Sequence, residues 1–357
     1  MEAAIIKVFA PTALAFAIGI LITPAVTRYL YRHKMWKKKA GKGQGYGGGK
    51  TPYFDKLHKN KEVNTPRMGG AVIWLSVILT ISLIWILQFI FPDHFLGKLD
   101  FLSRSQTWLP LFALLVGAFV GFLDDLLVVR GTGKHFAGGL PLLQRLVVVG
   151  LTALFSAWWF YEKLEVSSIN VIGYGELQLG FFFIPFFVFV AISIYASSVI
   201  DGIDGLSGGT FMFIFTAYAA IALFQNQIDL AAYSATIVGG ILAFLWFNIP
   251  PARFYMTETG IMALTMSLTI VAFMTDSIGG GEGVSVLPVI GILLVATVLS
   301  DVVQVTSKKL FGRKILKIAP IHHHYEALGW PPEKVTMRYW VLGFVFAIIG
   351  VLLAIAF

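Results

Sequence analysis

Ten stretches of this chain run for about the length of a bilayer crossing with almost no charge, and no other feature constrains the fold as strongly. A crossing helix needs ~20 mainly apolar residues, with a range of about 17–25. The candidates are residues 9–30, 70–91, 108–128, 141–161, 181–199, 209–225, 230–247, 259–275, 286–306 and 339–357. Each is expected to be helical, because open backbone polar groups cannot face lipid. The fifth and sixth are parted only by a polar turn with Asp201, Gly202, Asp204 and Gly205. The first run is too long for a signal-peptide core and lacks a basic segment before it, so it reads as a retained span. The expectation is an all-α polytopic membrane protein with one transmembrane domain over 1–357. Composition agrees: 13% of residues are charged, against about 25% in soluble proteins. So few charges cannot coat a water-facing surface of this size. The absence of cysteine excludes disulfides and thiolate chemistry.

Ten spans put both termini on one side. The connections after odd-numbered spans, with their flanks, carry 23 of the 27 Lys and Arg residues. The other side has Lys7, Lys98, Arg104 and Lys163. Positive residues stay in the cytoplasm. The loops at 31–69, 124–140, 197–208, 249–258 and 307–338 are therefore expected inside, and both termini outside. The net charge of +8 is thus a matter of sidedness, with no nucleic-acid partner called for. The lysine-rich, glycine-rich loop after the first span reads as a positive-inside loop attracted to anionic lipid. A sharper reading gives one or two of its lysines a phosphate to hold.

Charged groups inside spans are costly and usually mark function. Four polar patches near the expected cytoplasmic ends stand out. Asp124 and Asp125 end an apolar run in GFLDDLL. Adjacent carboxylates repel unless a cation compensates, and acids at a helix C-terminus oppose the dipole. That argues for a metal or substrate over a helix end dipping into the headgroups. Asp201 and Asp204 sit in DGIDGLSGG, where two acids exceed what an Asp-Gly turn requires. Asn248, Tyr255 and Glu258 fall in FNIPPARFYMTETG. Glu258 could simply favour a helix N-terminus, and Tyr255 is an interfacial aromatic or a stacking surface for a base. His322, His323 and His324 lie in APIHHHYEALGWPPEKV. Consecutive histidines diverge, so phosphate or sugar contacts suit them better than a tetrahedral metal site; the alternative is a surface loop. Acids, histidines and basic residues at one interface suggest Mg²⁺ and phosphate chemistry. Such a place suits one lipid reactant and one soluble reactant.

These motifs resemble phospho-N-acetylmuramoyl-pentapeptide transferases, a branch of the polyprenyl-phosphate N-acetylhexosamine-1-phosphate transferase superfamily. The resemblance runs from NTPRMGGAVI at 64–73 through GFLDDLL, DGIDGLSGG and FLWFN to the last span. Its most specific part is APIHHHYEALGWPPEKVTMRYW at 319–340. It implies transfer of phospho-MurNAc-pentapeptide from its UDP carrier to undecaprenyl phosphate, giving lipid I and UMP. It also implies Mg²⁺, a cytoplasmic site in the bacterial inner membrane, and a homodimer. Carried over by position, Asp124, Asp125, Glu258 and His322–His324 would be catalytic, with Asp124, Asp125 and Glu258 at the metal. Lys61, Thr65, Lys134, Ser198, Asp201, Asp204, Asn248, Tyr255 and Gln304 would bind substrate. The chain departs from the family at Glu258, where an Asp is usual, and at Ser198, where an Asn is usual. Two rival readings stand beside this one. A sister transferase would use UDP-GlcNAc or another UDP-sugar. A lipid-linked substrate transporter, or an inactive scaffold, would release no UMP.

Overall fold

The computed structural model describes residues 2–38, 63–132 and 138–356. Its helices are α1 (Glu2–Arg32), α2 (Ala71–Ile90), α3 (Trp108–Arg130), α4 (Leu142–Lys163), α5 (Phe183–Ala196), α6 (Leu206–Phe224), α7 (Ile228–Asn248) and α8 (Thr257–Met274). They continue with the single turn α9 (Leu287–Ile290), α10 (Ile292–Phe311), the short α11 (Ile321–Ala327) and α12 (Pro332–Ala356). Tight turns lengthen α5 to Gly180–Ile200. Among the described residues, nine helices are long and apolar enough to cross a membrane. The chain is a multi-pass helical membrane protein.

The ninth expected span is the one that differs. At Gly291 the backbone leaves the helical region, and this separates α9 from α10. The remaining helix carries Asp301, Lys308 and Lys309, so its apolar stretch is short. The last helix starts at Pro332, ahead of the apolar run at 339. Proline suits a first helical turn, and hydropathy cannot register the polar turns that follow it. A second departure from an all-helical chain lies between α4 and α5. There β1 (Ser168–Val171) pairs antiparallel with β2 (Gly175–Gln178), Ser168 opposite Gln178.

Helix α8 is buried on every side, as expected for a helix apolar all round at the centre of a bundle. Helix α3 packs directly on it through Gly117 and Gly121. A Cβ on Gly117 would lie 2.8 Å from the Ala263 Cα, and one on Gly121 would strike the Glu258 carbonyl oxygen. Small residues four apart let two helix backbones touch. That contact carries the next turn of α3, with Asp124 and Asp125, to the start of α8.

Candidate active site

A helix N-terminus exposes four unpaired N–H groups and partial positive charge. At α8 two carboxylates from other segments fill that role. Asp201 Oδ2 accepts the Thr257 N–H at 2.8 Å. Asp125 Oδ2 accepts the Thr259 N–H at 2.9 Å and the hydroxyls of Thr257 and Thr259 at 2.5 and 2.6 Å. Arg67 donates Nε and Nη2 to the other oxygen of Asp125, both at 3.0 Å. Asp125 is therefore fully buried with both oxygens in use. Thr257 has φ +54°, rare for a β-branched residue. Its N–H and hydroxyl are fixed by the two aspartates, and the hydroxyl also accepts the Met68 N–H at 3.1 Å.

The neighbour on α3 is placed differently. Asp124 Oδ1 accepts the Leu140 N–H at 2.7 Å, its hydrogen-bond donor among the described residues. The backbone at Gly139 lies close over it, so that a Cβ there would sit 2.5 Å from Asp124 Oδ1. Arg145, in the first turn of α4, donates Nη1 to Glu258 Oε1 and holds Nε 3.9 Å from Asp124 Oδ1. The Tyr195 hydroxyl donates to Glu258 Oε2 at 3.4 Å. Asp124 and Glu258 thus flank one guanidinium.

The acidic turn closes the site. Burial pushes the Asp201 carboxyl up, against the Ser207 hydroxyl at 2.7 Å and the Thr257 N–H, which hold it down. Over this turn lie the histidines: a Cβ on Gly202 would sit 2.6 Å from Nε2 of both His322 and His323. His323 Nδ1 is 2.6 Å from Glu326 Oε2, a pairing three residues apart on α11. His324 instead accepts the Lys317 N–H at 3.1 Å.

The remaining residues named from the sequence fall into three groups. Asn248 and Gln304 have side-chain amides engaged with backbone. Asn248 accepts the Gly205 N–H at 2.9 Å and donates to the Phe254 carbonyl at 2.8 Å, bracing the acidic turn. Gln304 donates to the Leu316 carbonyl at 2.9 Å and accepts the Leu316 and Ile315 N–H groups. Asp204, Ser198, Thr65 and Tyr255 line the surrounding turns. Asp204 accepts the Ala252 N–H at 3.2 Å, and the Ser198 carbonyl accepts the Asp201 N–H. Tyr255 exchanges backbone bonds with Pro66 and Gly69, which docks the Thr65–Pro66 turn beside α8. Lys61 and Lys134 lie outside the described residues.

Among the described residues, no three acidic or histidine side chains converge as a metal cage. The trio Asp124, Asp125 and Glu258 is therefore not assembled as a set, because Asp125 faces Arg67 and α8. Asp124 and Glu258 alone share a position. Two carboxylates are a donor set that fits Mg²⁺, which takes its remaining oxygens from substrate phosphates and water.

Sequence reasoning missed Arg67, Arg145, Tyr195 and Glu326. Arg67 follows the Thr-Pro turn already singled out, and Arg145 sits inside an apolar span, where an ionisable group is a functional signal.

Comparison with known proteins bears on this arrangement. Residues 107–276 match the family model described as "Glycosyl transferase family 4". The chain is 31% identical over 340 residues to the phospho-N-acetylmuramoyl-pentapeptide-transferase of Anoxybacillus flavithermus, covering 95% of each. It is 31% identical to the protein of that name from Caldanaerobacter subterraneus, over 94% of this chain and 95% of the relative. For that of Clostridium perfringens the identity is 29%, over 96% and 98%.

Proposed function

The chain belongs to the phospho-N-acetylmuramoyl-pentapeptide-transferase family, and from that premise we propose the reaction its site performs. It transfers phospho-MurNAc-pentapeptide from UDP-MurNAc-pentapeptide to undecaprenyl phosphate, giving lipid I and UMP. The site faces the cytoplasm from a bacterial inner membrane, in keeping with the Lys and Arg bias. The observation that carries this reading is the pairing of Asp124 with Glu258 around one guanidinium, beside an acidic turn capped by His322 and His323.

Asp124 and Glu258 would hold Mg²⁺, which offsets diphosphate charge and eases departure of a phosphate. Asp124 is the aspartate with capacity to meet the lipid phosphate. Asp125 is the positioning residue: it fixes α3 against α8 and keeps Arg67 in place. An alkyl phosphate has a second pKa of about 6, so most of the acceptor arrives already deprotonated and Asp124 has at most one proton to remove. By the resemblance, His322 and His323 would grip the sugar diphosphate, and Asp201, Asp204 and Tyr255 would meet the uridine. Glu258 reaches one methylene further than the usual Asp, and the Arg145 fork meets it.

The test is UMP release by the purified chain in detergent, given both substrates and Mg²⁺. Turnover is expected with UDP-MurNAc-pentapeptide and not with UDP-GlcNAc. The reverse preference would reassign the chain to a sister transferase. Normal turnover by both Asp124→Asn and Glu258→Gln would remove the proposed site.

A further inference from the structure

The gap between Asp124 and Glu258 already holds a cation, the Arg145 guanidinium. Its side chain is 14% exposed, and it comes from α4, a different element from either carboxylate. The two acids it serves are those without a full set of other partners. Asp125, by contrast, is saturated by Arg67 and the α8 threonines. Among the described residues no other basic side chain forms an ion pair with Asp124 or Glu258. Two carboxylates so close repel without a compensating cation.

We propose that Arg145 is a displaceable counter-ion that neutralises the pair and must swing aside when a divalent cation enters. A guanidinium cannot shed its proton in a protein. It therefore cannot yield by discharging, as a lysine can; it has to move. Two cations cannot share one gap without repulsion. The displaced fork is then beside the incoming diphosphate, whose oxygens it can grip in pairs. The nucleotide thus supplies the anion that Arg145 exchanges for its carboxylates, and metal and nucleotide bind with mutual help. This rests on the metal reading given above for Asp124 and Glu258.

The experiment titrates Mn²⁺ into the full chain in detergent, without nucleotide, and reads free Mn²⁺ by electron paramagnetic resonance. Arg145→Gln is expected to bind Mn²⁺ about tenfold or more tightly than wild type, a gain of about 1.4 kcal/mol or more. UMP should tighten Mn²⁺ binding to wild type more than to Arg145→Gln. Equal or weaker binding by Arg145→Gln, with Asp124→Asn weaker still, overturns the counter-ion while leaving the metal site standing. No Mn²⁺ binding by either wild type or Arg145→Gln overturns both. Arg145→Lys keeps the charge but cannot span both carboxylates, and its affinity is expected between the two. If Arg145→Gln does not survive purification, an Arg145→Lys affinity no tighter than wild type overturns the proposal by itself.

Discussion

Both ends of the bundle bury carboxylates, and they surround them differently. At the site end, Asp125 pairs with Arg67, while Asp124 and Glu258 share Arg145. At the far end, Asp276 is 1% exposed and is held by hydrogen bonds alone. It accepts the N–H groups of Asn170 and Val284 at 2.8 Å and of Ser277 at 3.0 Å. These bonds fasten the β1–β2 hairpin to the loop after α8. Among the described residues no Lys or Arg forms an ion pair with it. Backbone donors fix a carboxylate in one place. A guanidinium balances its charge and can be traded for another cation. The backbone cage, like the saturated Asp125–Arg67 pair, is suited to holding a fold, and the shared Arg145 to handling charged reactants.

The comparison breaks first, and most visibly, at Asp124. Asp124→Asn and Glu258→Gln should each lower UMP release by about 10³-fold, the scale of losing a preorganised electrostatic contact, while the melting temperature moves little. Asp125 should behave otherwise. Asp125→Asn leaves the Arg67 charge without its partner and should destabilise the fold by about 3–5 kcal/mol, measured by denaturation in detergent. Activity should fall along with folded protein, and adding Arg67→Gln should restore part of the stability. At the far end, Asp276→Asn should cost about 1–3 kcal/mol through mismatched donors and leave turnover per folded molecule unchanged.

A smaller effect separates the two ends by pH. Burial pushes Asp276 up to about 6, against the amides that hold it down. The folded chain therefore keeps this proton more tightly than the unfolded chain does. Stability from this group is greatest below its ordinary value of 3.8 and is lost as pH rises toward about 6. Amide exchange at Asn170 and Val284, corrected for intrinsic rate, should show less protection at neutral pH than in acid. Asp276→Asn should flatten that dependence.

Much of this was legible in the sequence because it follows local rules. Apolar length gave nine of the ten expected spans, and intramembrane acids pointed to Asp124, Asp125 and Glu258. The His322–His323 pair does meet the acidic turn at Gly202. What escaped depends on contacts between distant segments. Arg67 and Asp125 lie 58 residues apart, and Arg145 and Glu258 lie 113 apart. No periodicity encodes such pairings. The resemblance implies substrate binding for Asn248 and Gln304; that their amides also brace turns follows from backbone contacts that residue type does not encode. The hairpin at 168–178 was hidden because hydropathy over a span-length window cannot register four-residue strands.

The seam between α3 and α8 has one more consequence. With no side chain between Gly121 and the Glu258 carbonyl, main-chain contact sets the closest approach of the two acid-bearing helix ends, which Asp125 then fastens. With Mg²⁺ held as proposed, the bundle would work as a calliper, gauging ionic radius. Mg²⁺ takes oxygens at about 2.0–2.1 Å and Ca²⁺ at about 2.3–2.6 Å. A methyl group wedged into the seam by Gly121→Ala should open the jaws and shift Asp124 and Glu258 from the smaller ion toward the larger, read as a changed Mg²⁺-to-Ca²⁺ preference in competition with Mn²⁺.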